Sequence, residues 1–233
     1  MKLIPDDKDL YSKDFNIEYY DTTPVLKAKK LPFELAETKI VKRLFDIIFS
    51  SLIIVFVLSW LIPILWILIK LESKGPLFFK QKRDGLNGDQ FVCFKFRSMQ
   101  INSVSNLIQT TKNDNRITNV GKFIRSTSID ELPQFFNVLL GEMSVVGPRP
   151  HMKSQSKNFI LDVENYMRRN SVKPGITGLA QIRGFRGEIE KKSDIENRVR
   201  LDIFYIENWS FFLDVRIIIQ TFLNIFKGDE KAY

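Results

Sequence analysis

The sequence feature that most constrains the fold is a run of 23 residues without a charged side chain, from Ile47 to Ile69. As a continuous helix this run would be about 35 Å long at roughly 1.5 Å per residue, enough to cross the hydrocarbon core of a bilayer. This length disfavours the alternative of a buried core helix. We therefore expect a membrane element.

Two details favour a bent, re-entrant helix over a straight span. Pro63 lies inside the apolar run, where it removes a backbone hydrogen bond and kinks a helix, and Ser59 one turn earlier can bond freed backbone groups. Both flanks are also basic, so the positive-inside rule gives no preferred side to either end. A helix that dips into the bilayer and returns to the cytoplasmic face satisfies both flanks. The basic residues are Lys39, Lys42 and Arg43 before the run, and Lys70, Lys74, Lys80, Lys82 and Arg83 after it.

The chain divides into three parts around this element. Residues 1–40 form a polar arm or linker, and no apolar segment follows the initiator Met, so we do not expect a cleaved signal peptide. Residues 41–70 hold the re-entrant helix, and residues 71–233 form a small cytoplasmic catalytic domain. The apolar stretch Phe211–Phe226 is too short for a comfortable span and fits an interfacial helix or a core helix equally. The predicted class is an α+β, mainly helical, monotopic membrane protein.

The domain after the membrane element is predicted to open with a β-hairpin and to continue with helices. The predicted elements are a strand at Leu77–Phe79, a turn at Asp84–Asp89, a strand at Gln90–Met99, and helices at Phe159–Arg169 and Ser193–Glu207. Residues 100–119 are rich in Asn, Ser and Thr and are predicted to form a loop. We expect substrate specificity to reside in this loop and in residues 181–192.

Composition limits the chemistry that the chain can perform. Cys93 is the single Cys and cannot form an internal disulfide, and His151 alone cannot build a His-rich zinc site. The net charge of +8 suits nucleic acid, an anionic membrane face or phosphorylated substrates. Nucleic-acid binding would require a basic stripe interleaved with stacking aromatics or a recognisable binding module, and the sequence shows neither. Any chemistry must therefore use carboxylates, Arg and Lys. A metal that takes part in it would be a hard cation.

The pair Asp130-Glu131 lies at the predicted start of a helix. Pro133 has no N–H and fits only the first helical turn, after which apolar residues recur at helical spacing until Gly141. The start of such a helix carries free N–H groups and the positive end of the helix dipole, which favour a carboxylate and a nearby phosphate. A plain helix cap is the simpler interpretation of Asp130.

Further candidate residues come from three segments. In one predicted strand Lys95 and Arg97 share a face, which is either solvated or directed at a site that binds phosphate. Arg149 lies between two prolines that fix φ on both sides, which indicates either a simple turn or a preorganised phosphate contact. Asp202 has apolar neighbours, and an acid in such a place usually pairs with an arginine.

Six ordered motifs give the chain a specific resemblance to a known family. They are Lys42–Asp46, Gly75–Gln81, Phe94–Met99, Asp130–Gln134, Val146–Pro150 and Lys173–Gly178, and they cover about residues 41–227. The chain resembles the monotopic polyprenol-phosphate phosphoglycosyl transferases, also called the bacterial sugar transferase family. Family members often carry Ser-Pro at the helix break, whereas here Trp60 follows Ser59 and the proline comes later.

The resemblance implies an enzyme of the bacterial inner membrane, with its catalytic domain on the cytoplasmic face. Such an enzyme moves a sugar 1-phosphate from a nucleotide sugar, such as a UDP-sugar, to undecaprenyl phosphate and thereby opens assembly of a cell-surface glycan. The resemblance further implies Mg²⁺ and an aspartyl-phosphosugar intermediate, with Asp130 as nucleophile and Glu131 as the carboxylate that holds the metal. The residues implied in binding phosphate or substrate are Lys95, Arg97, Arg125, Arg149 and, with a less defined role, Asp202.

This chemistry agrees with the composition, because phosphoryl transfer needs charge neutralisation and placement more than proton shuttling. Further expected partners are anionic inner-membrane lipids, a second copy of the chain and downstream glycosyltransferases. The alternative function is a non-catalytic, membrane-anchored scaffold of a glycan-assembly complex. A scaffold would tolerate replacement of Asp130 and Glu131 and would not require Mg²⁺.

Overall fold

The computed structural model describes residues 15–227 except 22, 29, 101–113, 153–155, 157–158, 161–162, 188 and 190. The described part of the chain is mainly helical and includes small two-stranded sheets, which confirms the predicted α+β, mainly helical class. The first fourteen residues of the predicted arm and most of the predicted specificity loop at 100–119 lie outside the described residues. Part of the predicted helix at Phe159–Arg169 also lies outside them, and its end is a 3₁₀ turn, Tyr166–Ser171.

An antiparallel hairpin precedes the helices, where the sequence predicted only a polar arm. Strand β1 (Phe15–Tyr20) pairs with strand β2 (Thr23–Ala28), and the turn contains Asp21 at a φ of 58°. Pro24 lies within β2, opposite Tyr19. In a two-stranded sheet every strand is an edge strand, so the missing N–H of a proline is tolerated there.

One helical run of 37 residues, Ala36–Glu72, is long and apolar enough to cross a membrane by length and composition. It consists of helix α1 (Ala36–Ile53), a π-helical turn (Ile54–Leu58) and helix α2 (Ser59–Glu72), and it begins before the predicted boundary at residue 41. Only 17% of its most apolar 18-residue window is buried in the protein. Its apolar surface is therefore mostly exposed, unlike that of a core helix.

The π turn Ile54–Leu58 precedes Pro63, and two of its carbonyls accept hydrogen bonds from side chains. Ser59 Oγ donates to the carbonyl of Val55 at 2.6 Å, and Trp60 Nε1 donates to the carbonyl of Phe56 at 2.8 Å. Both carbonyls belong to the π turn, and in apolar surroundings such groups require an internal partner. Ser59 thus bonds the backbone, but at a carbonyl of the π turn and not at one that Pro63 leaves unpaired.

Helix α1 is fastened to the rest of the protein through a buried polar stripe. Lys42 Nζ lies 2.7 Å from Asp214 Oδ2, while Asp46 Oδ1 accepts hydrogen bonds from the Val145 N–H at 2.9 Å and from Ser144 Oγ at 3.0 Å. These contacts hold α1 against the domain by charge and hydrogen bonding, and leave its apolar side chains outward. The stripe consists of Thr38, Lys42, Asp46 and Ser50, spaced four residues apart. The exposed apolar residues are Leu44, Ile48 and Leu52 of α1, followed by Val55 and Phe56 of the π turn.

The remaining described elements form the domain that carries the charged motifs. Strands β3 (Phe78–Asp84) and β4 (Gln90–Phe96) form the predicted antiparallel hairpin, in register from Phe78 opposite Phe96 to Asp84 opposite Gln90. The other elements are α3 (Asn119–Ser126), a 3₁₀ turn (Ile129–Glu131), α4 (Gln134–Leu140), β5 (Ser144–Val146), β6 (Gly175–Thr177), α5 (Leu179–Ile182), α6 (Lys192–Glu207) and α7 (Phe211–Lys227).

Helix α4 ends where the sequence predicted. Gly141 has a φ of 88°, the left-handed conformation that favours glycine after a helix. Arg43 from α1 donates to the carbonyls of Val138 at 2.7 Å and Leu139 at 2.8 Å. A cation at the C-terminal end of a helix satisfies unpaired carbonyls and complements the helix dipole. The basic flank of the apolar run thus also caps a helix of the domain.

Helix α7 has features of both an interfacial helix and a core helix, the two alternatives that the sequence left open. One face packs into the core, with Ile217 fully buried and Asp214 only 1% exposed. The other face is apolar but open, with Phe212 83% exposed, and Ile219 and Phe222 about half exposed. Such an open apolar face suits a helix that lies along a membrane surface.

We expect both ends of the helical run to lie on the same side of the membrane, because both carry basic residues. The substitutions Lys39→Cys and Lys74→Cys place single reactive thiols at exposed positions, while the native Cys93 is 2% exposed. A membrane-impermeant maleimide should label neither position in intact bacterial cells and both positions after permeabilisation. Labelling of one position alone in intact cells would establish a true span.

Candidate active site

The carboxylates Asp130 and Glu131 lie in the short 3₁₀ turn between α3 and α4. Helix α4 itself begins at Gln134, and its N-cap position is Pro133, which has no side-chain capping bond. The interpretation of Asp130 as a plain N-cap of this helix is therefore wrong. The reason is that the chain makes a separate 3₁₀ turn, introduced by Ser128 at a φ of 59°, before the α-helix starts.

Glu131 is the centre of a cluster of cations. It is 6% exposed, and Lys95 Nζ lies 2.7 Å from its Oε1. Arg149 binds both carboxylate oxygens, with Nη2 at 2.5 Å from Oε1 and Nη1 at 3.1 Å from Oε2. Arg186 Nη2 completes the cluster at 3.3 Å from Oε2. Two-point contact with an arginine is the strongest geometry for such a pair.

Asp130 lies next to this cluster but takes little part in it. It is 7% exposed, and Lys95 Nζ is 3.9 Å from its Oδ2, too far for a hydrogen bond. Among the described residues no side chain or N–H donates a hydrogen bond to the Asp130 carboxylate. Its lone pairs therefore remain available to a reacting atom.

The two neighbouring carboxyl groups have pKa values shifted in opposite directions. Burial raises the pKa of Asp130, and the charge of Lys95 offsets only part of this effect. Burial acts on Glu131 as well, but Arg149, Lys95 and Arg186 together hold the pKa of its carboxyl well below the usual range. Glu131 is thus a stabilised anion and Asp130 a destabilised one, which is the arrangement expected of a reactive carboxylate beside a structural one.

Lys95 and Arg97, predicted to share a face of one strand, have different surroundings. The face of β4 that carries Lys95 also carries Phe91 and Cys93, which are 7% and 2% exposed, so this face points into the protein. Arg97 instead donates to the carbonyls of Lys74 at 2.7 Å and Ser73 at 2.8 Å, just beyond the end of α2. The structure therefore brings Lys95, but not Arg97, into contact with the carboxylates.

Arg125 and Asp202, the remaining predicted residues, lie around this centre. Arg125, in the last turn of α3, lies 3.5 Å through its Nη1 from Ser98 Oγ, and its charge acts to lower the pKa of Asp130. Asp202 forms an ion pair with Arg169 at 2.8 Å, and both side chains are 2% exposed. The predicted arginine partner of this buried acid is confirmed.

The loop that carries Arg149 is held by two arginines, the buried Arg169 and the partly buried Arg83. Arg169 Nη2 donates to the carbonyl of Arg149 at 2.7 Å, and Arg83 Nη1 donates to the carbonyl of Pro150 at 2.8 Å. Asp202 fixes Arg169 and so acts on Arg149 indirectly, as a positioning residue. The stiff backbone predicted from the two prolines is thus further restrained by charge-assisted hydrogen bonds.

His151 follows this loop and is locked in a neutral state. Its Nδ1 lies 2.8 Å from Arg169 Nη1 and its Nε2 lies 3.2 Å from Arg198 Nη1. Burial, and then the charges of these two arginines, keep the pKa of His151 well below its usual value. A histidine of this kind supports the loop and does not shuttle protons in the neutral pH range.

Two of the six motifs, Val146–Pro150 and Lys173–Gly178, are joined as one unit. Strand β5 pairs in parallel with β6, and the Gly147 N–H donates to the carbonyl of Thr177 at 2.9 Å. A Cβ atom added to Gly175 would lie 2.0 Å from the nitrogen of Gly147, so no larger residue fits. This close backbone approach orients the Arg149 loop relative to the segment that leads to Arg186.

The donors available to a metal fit Mg²⁺ held jointly with a substrate. The described residues contain no group of three His, Cys, Asp or Glu side chains that could hold an ion. They do offer the two adjacent carboxylates, and Mg²⁺ is commonly bound through one or two carboxylates plus substrate phosphates. A cation at Glu131 would require that phosphate oxygens attract some of its present arginine and lysine partners.

Comparison with known proteins establishes the family. The family model described as "Bacterial sugar transferase" matches residues 37–228, which is most of the chain. The chain belongs to the bacterial sugar transferase family. The region matched contains all but the first residue of the helical run and every site residue named above.

Curated relatives differ in the sugar that their names specify. The chain is 51% identical over 195 residues to the UDP-glucose:undecaprenyl-phosphate glucose-1-phosphate transferase of Klebsiella pneumoniae, covering 82% of this chain and 41% of the relative. It is 42% identical over 189 residues to the UDP-N-acetylgalactosamine-undecaprenyl-phosphate N-acetylgalactosaminephosphotransferase of Aeromonas hydrophila, covering 81% of this chain and 44% of the relative. It is 46% identical to the exopolysaccharide production protein PSS of Rhizobium leguminosarum bv. phaseoli, covering 78% of this chain and 93% of the relative.

The match covers only part of the length of the longer relatives. The chain spans less than half the length of the transferases from Klebsiella and Aeromonas. The Rhizobium protein, by contrast, is covered over nearly its whole length. Because each match covers at least 78% of this chain, all three include the carboxylate pair.

We expect substitutions of the two neighbouring carboxylates to change stability in opposite directions. Glu131→Gln removes the buried anion that three partly buried cations share and should destabilise the fold by about 3 kcal/mol. Asp130→Asn removes a destabilised anion and should leave the midpoint of thermal unfolding unchanged or raised. Differential scanning fluorimetry of the purified protein in detergent measures both.

The control for this comparison is Glu196→Gln, which breaks an exposed pair with Lys192 and should have little effect. A loss of stability in Asp130→Asn as large as that in Glu131→Gln would contradict the opposite pKa shifts.

Proposed function

We propose that the chain transfers a sugar 1-phosphate from a UDP-sugar to undecaprenyl phosphate at a membrane surface. The observation that carries the proposal is the carboxylate pair, in which a reactive Asp130 lies beside a Glu131 that gathers three cations. The names of the relatives supply the substrate classes. They differ in the sugar, so the proposal extends to a UDP-sugar and not to one particular sugar.

The reaction is proposed to proceed by two displacements at one phosphorus atom. In the first, an Asp130 oxygen bonds to the phosphorus that bears the sugar, and the bond from this phosphorus to the bridging oxygen breaks. Uridine monophosphate leaves with that oxygen and its electron pair. In the second, an oxygen of undecaprenyl phosphate bonds to the same phosphorus, and the bond to Asp130 breaks, which restores the carboxylate. A water-soluble donor and a lipid acceptor can thus use one site in turn.

The cations around Glu131 supply the charge neutralisation that this reaction needs. Lys95, Arg149 and Arg186 all contact Glu131, and each can move to a phosphate oxygen when an anionic substrate enters. The restrained backbone around Arg149 keeps its guanidinium aimed at the site, so little reorganisation is needed. Arg125, whose charge acts on Asp130, can also stabilise the developing phosphate charge.

Glu131, together with phosphate oxygens of the substrate, would hold Mg²⁺. A bound Mg²⁺ supplies further screening of the negative charges that meet at Asp130. The protein's own residues keep Glu131 ionised, because its cation partners favour the charged form.

The membrane placement is proposed from the two apolar surfaces. The exposed face of the helical run and the open face of α7 are both rich in large apolar side chains. Basic residues flank the run at both ends, which favours a re-entrant helix with the domain on the cytoplasmic face of the bacterial inner membrane. The lipid acceptor would then reach Asp130 from the bilayer and the nucleotide sugar from the cytoplasm.

We expect a covalent intermediate at Asp130. Wild-type protein incubated briefly with the UDP-sugar, without lipid acceptor, should gain the mass of one sugar phosphate on the peptide that contains Asp130. Asp130→Asn keeps the shape of the side chain but lacks the nucleophilic anion, so it should gain no mass and lose essentially all turnover. Intact-protein and peptide mass spectrometry measure the modification.

The matched control is Asp89→Asn, at an exposed carboxylate, which should behave like the wild type. Substantial turnover by folded Asp130→Asn protein would reject the nucleophile and favour a scaffold role.

We expect turnover to depend on a divalent cation, because two anionic substrates meet at a carboxylate pair that would otherwise repel them. Excess chelator should abolish release of uridine monophosphate, and added Mg²⁺ should restore it. Turnover that persists in excess chelator would remove Glu131 from its proposed role as a metal ligand.

A further inference from the structure

A cavity of about 410 Å³ lies between the helical run, α7 and the turn that carries the carboxylates. Most of its wall is apolar. A volume of this size is within the range of about 300–1,000 Å³ that small-molecule pockets occupy. The apolar residues of its wall include Phe49, Ile53 and Val57 from the helical run and Ile218, Phe222 and Ile225 from α7.

One part of the cavity wall is polar and belongs to the candidate active site. Glu131 and Arg186 both line the cavity, so it is continuous with the cation cluster. Arg186 contacts Glu131 at 3.3 Å, the longest of the three ion pairs, and its side chain is 17% exposed. The guanidinium can therefore exchange this contact for that of an anion in the cavity.

Ser128 is a second, independent indication of a ligand. Ser128 lines the cavity, and its enclosed hydroxyl oxygen has no hydrogen-bond partner among the described residues. Ser128 also has a φ of 59° and occupies the N-cap position of the 3₁₀ turn, but its side chain makes no capping bond. A non-glycine residue in this conformation, with an unused hydroxyl two residues before Asp130, is typical of a functional site.

We propose that this cavity binds the phosphate-proximal isoprene units of a polyprenyl phosphate. The inference rests on the proposed function and assigns the binding site of its lipid acceptor. The phosphate lies at the polar part, where Arg186 neutralises charge and the Ser128 hydroxyl donates a hydrogen bond. The isoprene units lie against the apolar wall.

The charge and chemistry of the cavity favour this occupant over a nucleotide sugar. A nucleotide sugar is polar along its whole length, so burial against Ile53, Val57 and Ile218 would cost it hydration without compensating hydrogen bonds. A prenyl phosphate has one anionic end and one apolar end, which match the two parts of the wall. The cavity holds only the first units of a long chain. The remaining units extend along the exposed apolar faces of the helical run and α7.

A cavity-filling substitution with a matched control tests the site. Ile218→Trp adds bulk inside the cavity, whereas Ile219→Trp adds the same bulk on the open face of the same helix. We expect Ile218→Trp to raise the apparent KM for undecaprenyl phosphate about tenfold or more, because an overfilled pocket must displace its ligand. The KM for the UDP-sugar should stay within about twofold, and Ile219→Trp should change neither value.

A photolabelling experiment tests binding independently of turnover. Full-length protein in nanodiscs is irradiated with a geranylgeranyl phosphate that carries a diazirine on its first isoprene unit, and labelled peptides are mapped. Labels should fall on the peptides containing Ile53 and Ile218, and Ile218→Trp should remove them. Undecaprenyl phosphate should compete, whereas undecaprenol and phosphatidylglycerol should compete weakly, because one lacks the phosphate and the other the prenyl chain.

These outcomes separate failure of the site from failure of the proposed function. Normal labelling without any transferase activity would reject the proposed function and keep the binding site. Equal competition by phosphatidylglycerol would show a general lipid site and overturn the proposal. Labelling elsewhere, or an unchanged KM for undecaprenyl phosphate in active Ile218→Trp protein, would also overturn it.

Discussion

The ion pairs of Glu131 are the interaction on which the rest of the site depends. They join strand β4 through Lys95, the proline-flanked loop through Arg149 and the segment after α5 through Arg186. These segments are far apart along the chain, and each brings a cation that would be costly to bury alone. One buried carboxylate therefore assembles the cationic surface of the site.

The neighbouring residue, Asp130, does not share this compensation by cations. Asp130 is as buried as Glu131, but its nearest cation is shared and lies 3.9 Å away. Its ionised form is destabilised, which raises its pKa. A protein selected only for stability would not keep an under-compensated carboxylate beside a fully compensated one. Such local conflict with stability is common at reactive positions.

The sequence was most informative where a local pattern decides the structure. The uncharged run at Ile47–Ile69 predicted a long apolar helix, the glycines around residue 88 predicted the hairpin, and Gly141 predicted the end of α4. The six motifs predicted the family and the carboxylate pair at its centre. In each case residues that are close in sequence determine the result.

The features that the sequence did not predict involve contacts between segments that are distant along the chain. Arg186 contacts a residue 55 positions away, and no local pattern distinguishes it from other surface arginines. Arg97 was expected on the same strand face as Lys95. Its guanidinium instead donates hydrogen bonds to two carbonyls just beyond the end of α2. The parallel pairing of β5 with β6 depends on backbone atoms that touch at Gly147 and Gly175. The prolines of the arm concealed a hairpin, since proline is tolerated where both strands are edges.

The polar stripe on α1 also sets the rotation of the long apolar helix about its own axis. Each residue of an α-helix advances about 100° around that axis, so a slip of one residue would move Lys42 and Asp46 away from their partners. Phe49 and Ile53 follow the stripe by three residues each and share its orientation. The charges near the start of the helix therefore determine which apolar side chains, one and two turns later, line the cavity that Glu131 and Arg186 also line. A lipid-embedded helix without such a stripe could rotate freely, because hydrocarbon offers no directional contacts.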